Sequence, residues 1–278
     1  MIMILKNADF SGNNIGKISI DVDLAPAVVT MLGRYTKYPA QKANAYAQAL
    51  NALYNTLYSA GIWSKLKMLS IPAYASNQNE CAKSILDGTT QDAGSTTYYD
   101  LDATQGLLKY KSTKPTPGGN AYGYPVTGQT NDCCIFGLLN TPDGGEGWGI
   151  LNWSVGANYL PLSDSLEVVN IWGLKTRVRE NGSAVSDGPL LNRAVATGPF
   201  VVNYKGGNVT FKDSSVEKIE RSSVTVGNLT NLVPLQYITS ITTPTAFGLY
   251  LFGCASGLTD TENATLFNAL TDFYNAII

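Results

Sequence analysis

The chain has no histidine, and that absence removes more chemistry than any other feature of its 278 residues. A Ser-His-Asp triad, a Cys-His dyad and a histidine-ligated metal site all require an imidazole. Charge is scarce too, since Asp, Glu, Lys and Arg make up 14% of the residues, well below the usual share in soluble domains. The solubilising surface must therefore come from Ser, Thr, Asn, Gly and the 16 tyrosines. With a net charge of −2 and no Lys/Arg run, nucleic acid is not an expected partner. No apolar run is long enough to span a membrane, so no membrane insertion is expected. Met1-Ile2-Met3-Ile4-Leu5-Lys6 lacks the basic start and length of a secretion signal, which predicts synthesis in a cytoplasm. The four cysteines are Cys81, the adjacent Cys133 and Cys134, and Cys254; they form neither a spaced disulfide framework nor a CxxC pattern. They read as small buried hydrophobes, with Cys133 and Cys134 on opposite faces of one strand.

What is present is organised around the last thirty-odd residues. Phe247 to Gly253 is short, aromatic and punctuated by glycine, as a buried strand is. Thr259 and Glu262 have the spacing of a capping box, and Leu266, Phe267, Leu270, Phe273, Tyr274 and Ile277 form one apolar helical stripe. Going back to the start, Lys17 to Leu24 alternates polar and apolar residues and predicts a half-buried strand. Pro26 and Pro39 bracket an ambiguous segment. From Gln41 to Ala60 the period becomes helical, with Ala43, Ala47, Leu50, Leu53/Tyr54 and Leu57 in a stripe and Gly61 placed to end it. Met68 to Ala75 predicts a strand, and Asn77 with Glu80 opens a short helix through Cys81, Ile85 and Leu86 to Gly88.

From about residue 96, apolar runs recur at short intervals between Gly, Pro, Asn and Asp, which predicts an antiparallel sandwich. Lys205-Gly206-Gly207-Asn208 reads as a hairpin turn. The organisation expected is an arm over 1–40, a helical entry segment over 41–95, and a β-sandwich over 96–278 closed by the C-terminal helix.

Chemistry is thinly signalled. Sugars dock on flat aromatic faces beside Asn, Asp and Gly loops, which makes Trp148, Trp153, Tyr159, Trp172 and Asp143 candidate carbohydrate contacts; the competing reading packs these aromatics in the core. Asp100, Asp102 and Asp143 are loose calcium candidates without a calcium-loop motif, so neither metal nor cofactor is expected. Glu217-Lys218-Ile219-Glu220 falls short of a three-carboxylate strand motif, because its two glutamates would face opposite ways. The chain is therefore not expected to be an enzyme. Asp9, Phe10, Ile18, Ile20 and Val22 in the arm are candidate anchoring residues, either as an edge strand of the sandwich or as a strand added to another protein.

Four stretches carry a resemblance: Ala49 to Leu53 leading into Ala60 to Leu66, the helix near Glu80 to Leu86, the hairpin Val201 to Gly207, and Gly257 to Asp260 with Leu266 and Phe267. Together they resemble proteins of tailed-phage virions and prophages that carry a concanavalin-like (laminin-G-like) jelly roll. The resemblance covers roughly residues 41–278. The leader around Asp9-Phe10-Ser11 and Asn14-Ile15-Gly16 looks like leaders in gut-Bacteroidales phage proteins. The resemblance implies a jelly-roll sandwich with N-terminal and C-terminal helices, displayed on a virion surface as a head fibre, capsid decoration or tail fibre or spike component. It also implies a homotrimer, packed about an axis through the Gln41–Ala60 helix, with other virion proteins and a host-surface glycan as partners. The alternative is a lectin-type carbohydrate-binding module; a glycoside hydrolase is the weaker third reading.

Overall fold

The computed structural model describes residues 8–9, 19–20, 23–35, 43–81, 83–88, 99–102, 105–110, 124–126, 132–140, 148–154, 165–170, 174–180, 183–187, 196–214, 218–221, 229–237 and 248–278. In chain order the first strands are β1 (Ala8–Asp9), β2 (Ser19–Ile20), β3 (Leu66–Ser70), β4 (Tyr99–Asp102), β5 (Leu107–Tyr110), β6 (Tyr124–Pro125), β7 (Asp132–Asn140) and β8 (Trp148–Ser154). They continue with β9 (Ser165–Asn170), β10 (Leu174–Glu180), β11 (Ser183–Asp187), β12 (Gly198–Lys205), β13 (Asn208–Asp213), β14 (Lys218–Arg221), β15 (Asn231–Tyr237) and β16 (Gly248–Ala255). The helices are α1 (Pro26–Leu32), α2 (Ala43–Ser59), α3 (Gln78–Cys81) and α4 (Asp260–Ile277).

Among the described residues the strands form an antiparallel β-sandwich of the jelly-roll class. One sheet has six strands in the order β11-β10-β9-β8-β15-β6, and the other runs β14-β13-β12-β7-β16-β5-β4, with β3 also pairing with β16. Thus residues 66–70, within the helical entry segment, supply a strand of the larger sheet.

The core strands β7, β12 and β16 are buried along almost their whole lengths. That explains their continuous apolar sequences: both faces are covered. One face meets the helical layer. Asn203 exchanges hydrogen bonds with the Leu258 backbone at 2.7 and 2.8 Å. Asn263 Nδ2 donates to Thr210 Oγ1 at 3.1 Å, and Lys212 Nζ sits 4.3 Å from the centre of the Phe267 ring. By alternation Phe200, Val202 and Tyr204 take the other side, toward the six-stranded sheet. Cys134 pairs with Asn203 and Cys133 with Tyr204, so the two thiols do lie on opposite faces. Both are buried.

The helical layer follows its sequence signals closely. Thr259 caps α4 by accepting from the Glu262 N–H, and the Glu262 carboxylate accepts from the Thr259 N–H, completing the box. Leu266, Phe267, Leu270, Phe273 and Ile277 are buried beneath it. Helix α2 packs against α4 through Tyr46, Ala47, Leu50, Leu53 and Leu57. The apolar stripe of α2 is therefore buried within the chain itself. The end of α2 is a Schellman motif: Ile62 N–H donates to Leu57 O, Gly61 N–H donates to Tyr58 O, and Gly61 holds a φ of 73°.

Several expectations need correction. Helix α3 stops at Cys81 instead of reaching Gly88, because the chain turns back so that Ile85 N–H bonds Leu69 O of β3. The strand predicted over Lys17 to Leu24 is seen only at Ser19–Ile20; Asp23 and Leu24 already lie beyond it. β1 and β2 pair with each other and belong to neither large sheet, so the described arm residues are not a sandwich edge. The ambiguous segment after Ala25 is helix α1, with Pro26 at its first turn, where a missing N–H costs nothing.

Candidate functional site

One side of the eight-stranded sheet carries α4, packed against β12 and β7, and the six-stranded sheet forms the other layer of the sandwich. At the centre of that sheet, Leu151 and Trp153 are buried and therefore point into the sandwich. Trp153 is paired with buried Leu232, and its indole Nε1–H donates to Val126 O at 3.0 Å. Trp153 is accordingly withdrawn as a sugar contact, because both its ring and its polar atom are committed to the interior.

Register then fixes which positions share the opposite face. Asn152 pairs with Glu167, Glu167 with Arg177, and Arg177 with Asp187. The next row joins Ser154, Ser165, Arg179 and Ala184. Strand β10 places Lys175, Arg177 and Arg179 at alternate positions. Asn152, Glu167, Arg177 and Asp187 thus occupy one cross-strand row on four adjacent strands.

Trp148 opens β8 at one end of this sheet, in register with Asn170 on one side and Tyr237 on the other. A bulge between Gly149 and Leu151 separates it from the buried part of the strand. The connection 171–173 runs between the register partners Asn170 and Leu174, and the connection 141–147 enters at Trp148. Trp172 and Asp143 themselves lie outside the described residues. So does Tyr159, whose connection leaves from the other end of β8, at Ser154. Topology therefore groups the attachment points of the Asp143 and Trp172 loops with Trp148 and separates them from that of Tyr159.

Of the arm residues, Asp9 pairs with Ser19 and Ile20 with Ala8, while Phe10, Ile18 and Val22 lie outside the described residues. Asp102 is engaged by protein groups: Lys109 Nζ lies 2.8 Å from Oδ2, and Gln105 N–H donates to Oδ1. Among the described residues no three His, Cys, Asp or Glu side chains cluster for a metal, and no helix is long and apolar enough to cross a membrane. All four cysteines are buried. Burial pushes every thiol well above its ordinary range, so none is a ready nucleophile.

One group escaped the sequence reading. Tyr54 and Tyr58, one turn apart on α2, stack with ring centres 5.5 Å apart, and Trp63 meets Tyr54 edge-on at 4.8 Å. The spacing of four between the tyrosines was the available signal.

Neither a family model nor a curated protein matches the chain. Among solved structures it is similar to a Trypanosoma rangeli sialidase in complex with sialic acid (11% identity, TM-score 0.43), covering 82% of this chain and 38% of that one. It is also similar to the Emp47p carbohydrate recognition domain (14% identity, TM-score 0.41), covering 70% of this chain and 98% of that domain. A third is a xylan β-1,4-xylosidase from Bacillus halodurans C-125 (12% identity, TM-score 0.36), covering 57% of this chain and 34% of the enzyme. The chain thus spans well under half of either enzyme. At these identities the likeness is one of fold: a sandwich of the kind found in both carbohydrate-binding and glycosidase proteins. The expectation that the chain is not an enzyme is corrected on this finding, since glycosidases stand among the similar structures.

Proposed function

We propose that this chain is a surface-attachment protein, displayed on a tailed-phage virion and recognising glycans through the six-stranded sheet of its sandwich. One observation carries the reading. Three of the four stretches that resemble phage virion proteins meet in one physical unit around the start of α4. Lys65, within the Ala60–Leu66 stretch, pairs with Glu262 of α4 at 2.6 Å. Asn203, in the Val201–Gly207 stretch, holds Leu258, and Lys205 Nζ donates to Gly257 O at 3.0 Å. Segments far apart in sequence that resemble one family also build one shared layer, which supports reading them as a single inherited module. In this reading the cross-strand row of Asn152, Glu167, Arg177 and Asp187 and the Trp148 end of the six-stranded sheet make the contact. In this reading the arm with Asp9 and Ile20 attaches the chain to another virion protein, and three copies assemble.

The test is a glycan array probed with the full chain, beside Trp148→Ala and Arg177→Ala. Binding that weakens in either variant supports the reading; an array with no binding at all overturns its glycan part. Mass measurement in solution tests the assembly, and a strictly monomeric full chain counts against the virion fibre.

A further inference from the structure

We infer that the aromatic group at the C-terminal end of α2 is a second ligand site, for an uncharged sugar ring, separate from the six-stranded sheet. Tyr58 is 64% exposed, unusual for a large aromatic side chain among the described residues. Its ring is not loose: it stacks on Tyr54 with planes 28° apart, and Tyr54 is braced at 76° by Trp63. Tyr54 and Trp63 are themselves half-buried against the core. The ring is therefore a pre-ordered platform held in water, which lowers the entropy lost on binding.

The surroundings specify the ligand's charge. Helix α2 contains no charged residue in its 17 positions, whereas the outer face of a surface helix is normally charged. Beside Tyr58 the exposed residues Asn55, Thr56, Ser59 and Ser64 are all neutral hydrogen-bonding groups. The nearest charge in the adjoining turn, Lys65, is neutralised by Glu262 at 2.6 Å. A flat π face with an amide and hydroxyl rim and no net charge complements the C–H face and hydroxyls of a neutral pyranose or pentose. Helix α2 itself offers an ionic ligand no counter-charge.

The experiment is saturation-transfer NMR on the full chain with glucose, galactose, N-acetylglucosamine and xylose at millimolar concentration, and N-acetylneuraminic acid as the charged probe. Transfer to C–H protons of at least one neutral sugar is expected, with weaker transfer to the charged one. Tyr58→Ala should weaken binding at least about fivefold while Tyr58→Phe retains it. Because Tyr58 is exposed, neither change should unfold the protein, and a thermal melt of each variant verifies this. No transfer from any neutral sugar overturns the proposal. So does transfer lost in Trp148→Ala but kept in Tyr58→Ala, which would assign the sugar to the sheet. A loss of self-association in Tyr58→Ala without any change in sugar binding would assign the platform to a second copy of the chain, and overturns it as well.

Discussion

Lys65 and Glu262 are bound twice over: Nζ lies 2.6 Å from one carboxylate oxygen and 2.7 Å from the other. The same carboxylate closes the Thr259 cap. One side chain therefore both starts α4 and ties it to the turn before β3, although 197 residues separate the partners. Burial alone pushes the Glu262 carboxyl up, but the Lys65 ammonium and the Thr259 N–H and hydroxyl bond its charged form and hold it below its ordinary value of 4.5.

Acid should loosen this joint. Since the folded carboxyl titrates below the unfolded one, its stabilisation is complete above pH 4.5 and is lost as pH falls through the folded value. Thermal melts from neutral to strongly acid pH should show Glu262→Gln less stable at neutral pH. The variant and the parent should converge at the acid end. A constant gap between the two curves would mean that ionisation contributes nothing.

Removing the cap has a separate cost. Thr259→Ala should lower stability by about 1 kcal/mol, measured by denaturant unfolding. Combined with Glu262→Gln it should cost less than the sum of the two single changes, because they share the capping hydrogen bonds.

Gly257 and Gly61 should respond differently to alanine. A Cβ on Gly257 would lie 2.5 Å from Asp132 Oδ1 and 2.7 Å from Tyr204 O, one of them backbone, so Gly257→Ala should cost roughly 2 kcal/mol or more by forcing the chain away from β12. At Gly61 nothing stands within 4 Å of such a Cβ, and only the φ of 73° penalises it. Gly61→Ala should therefore cost about 1 kcal/mol. Paired unfolding curves check the order.

The thiols should be silent in the native protein. A thiol reagent at neutral pH should label none of Cys81, Cys133, Cys134 and Cys254 until denaturant opens the fold, and then all four. Prompt labelling of a native thiol would contradict the burial of the sheet and of the α3 turn.

The helical layer was legible because its signals are local. The Thr259–Glu262 box, the Leu266-to-Ile277 stripe and Gly61 each act within a turn or two of chain. The hairpin at Gly206-Gly207 was equally plain, since both residues need positive φ, here 58° and 84°. Strands β10 and β11 were missed because Lys175, Arg177 and Arg179 dilute the apolar alternation of Leu174, Thr176 and Val178. Their pairing with β9 and with each other overrides that weak local preference. The site was less legible than the fold. Trp153 and Trp148 look alike in sequence, and only the register with Leu232 sends the first into the interior. Tyr58 seemed an ordinary residue just past the α2 stripe, and its role as a platform depends on Trp63, beyond the helix end.

The pairing of Ser70 with Phe252 carries a consequence for how the protein is made. Strand β3 waits for a partner synthesised almost two hundred residues later, and α2 waits longer still for α4. A nascent chain on the ribosome therefore holds its early helices and β3 without their final neighbours until β16 and α4 have been made. Such non-local closure is slow and exposes apolar surface in the interval. Shortening the chain by even the last helix should leave a product that clumps rather than a smaller folded protein.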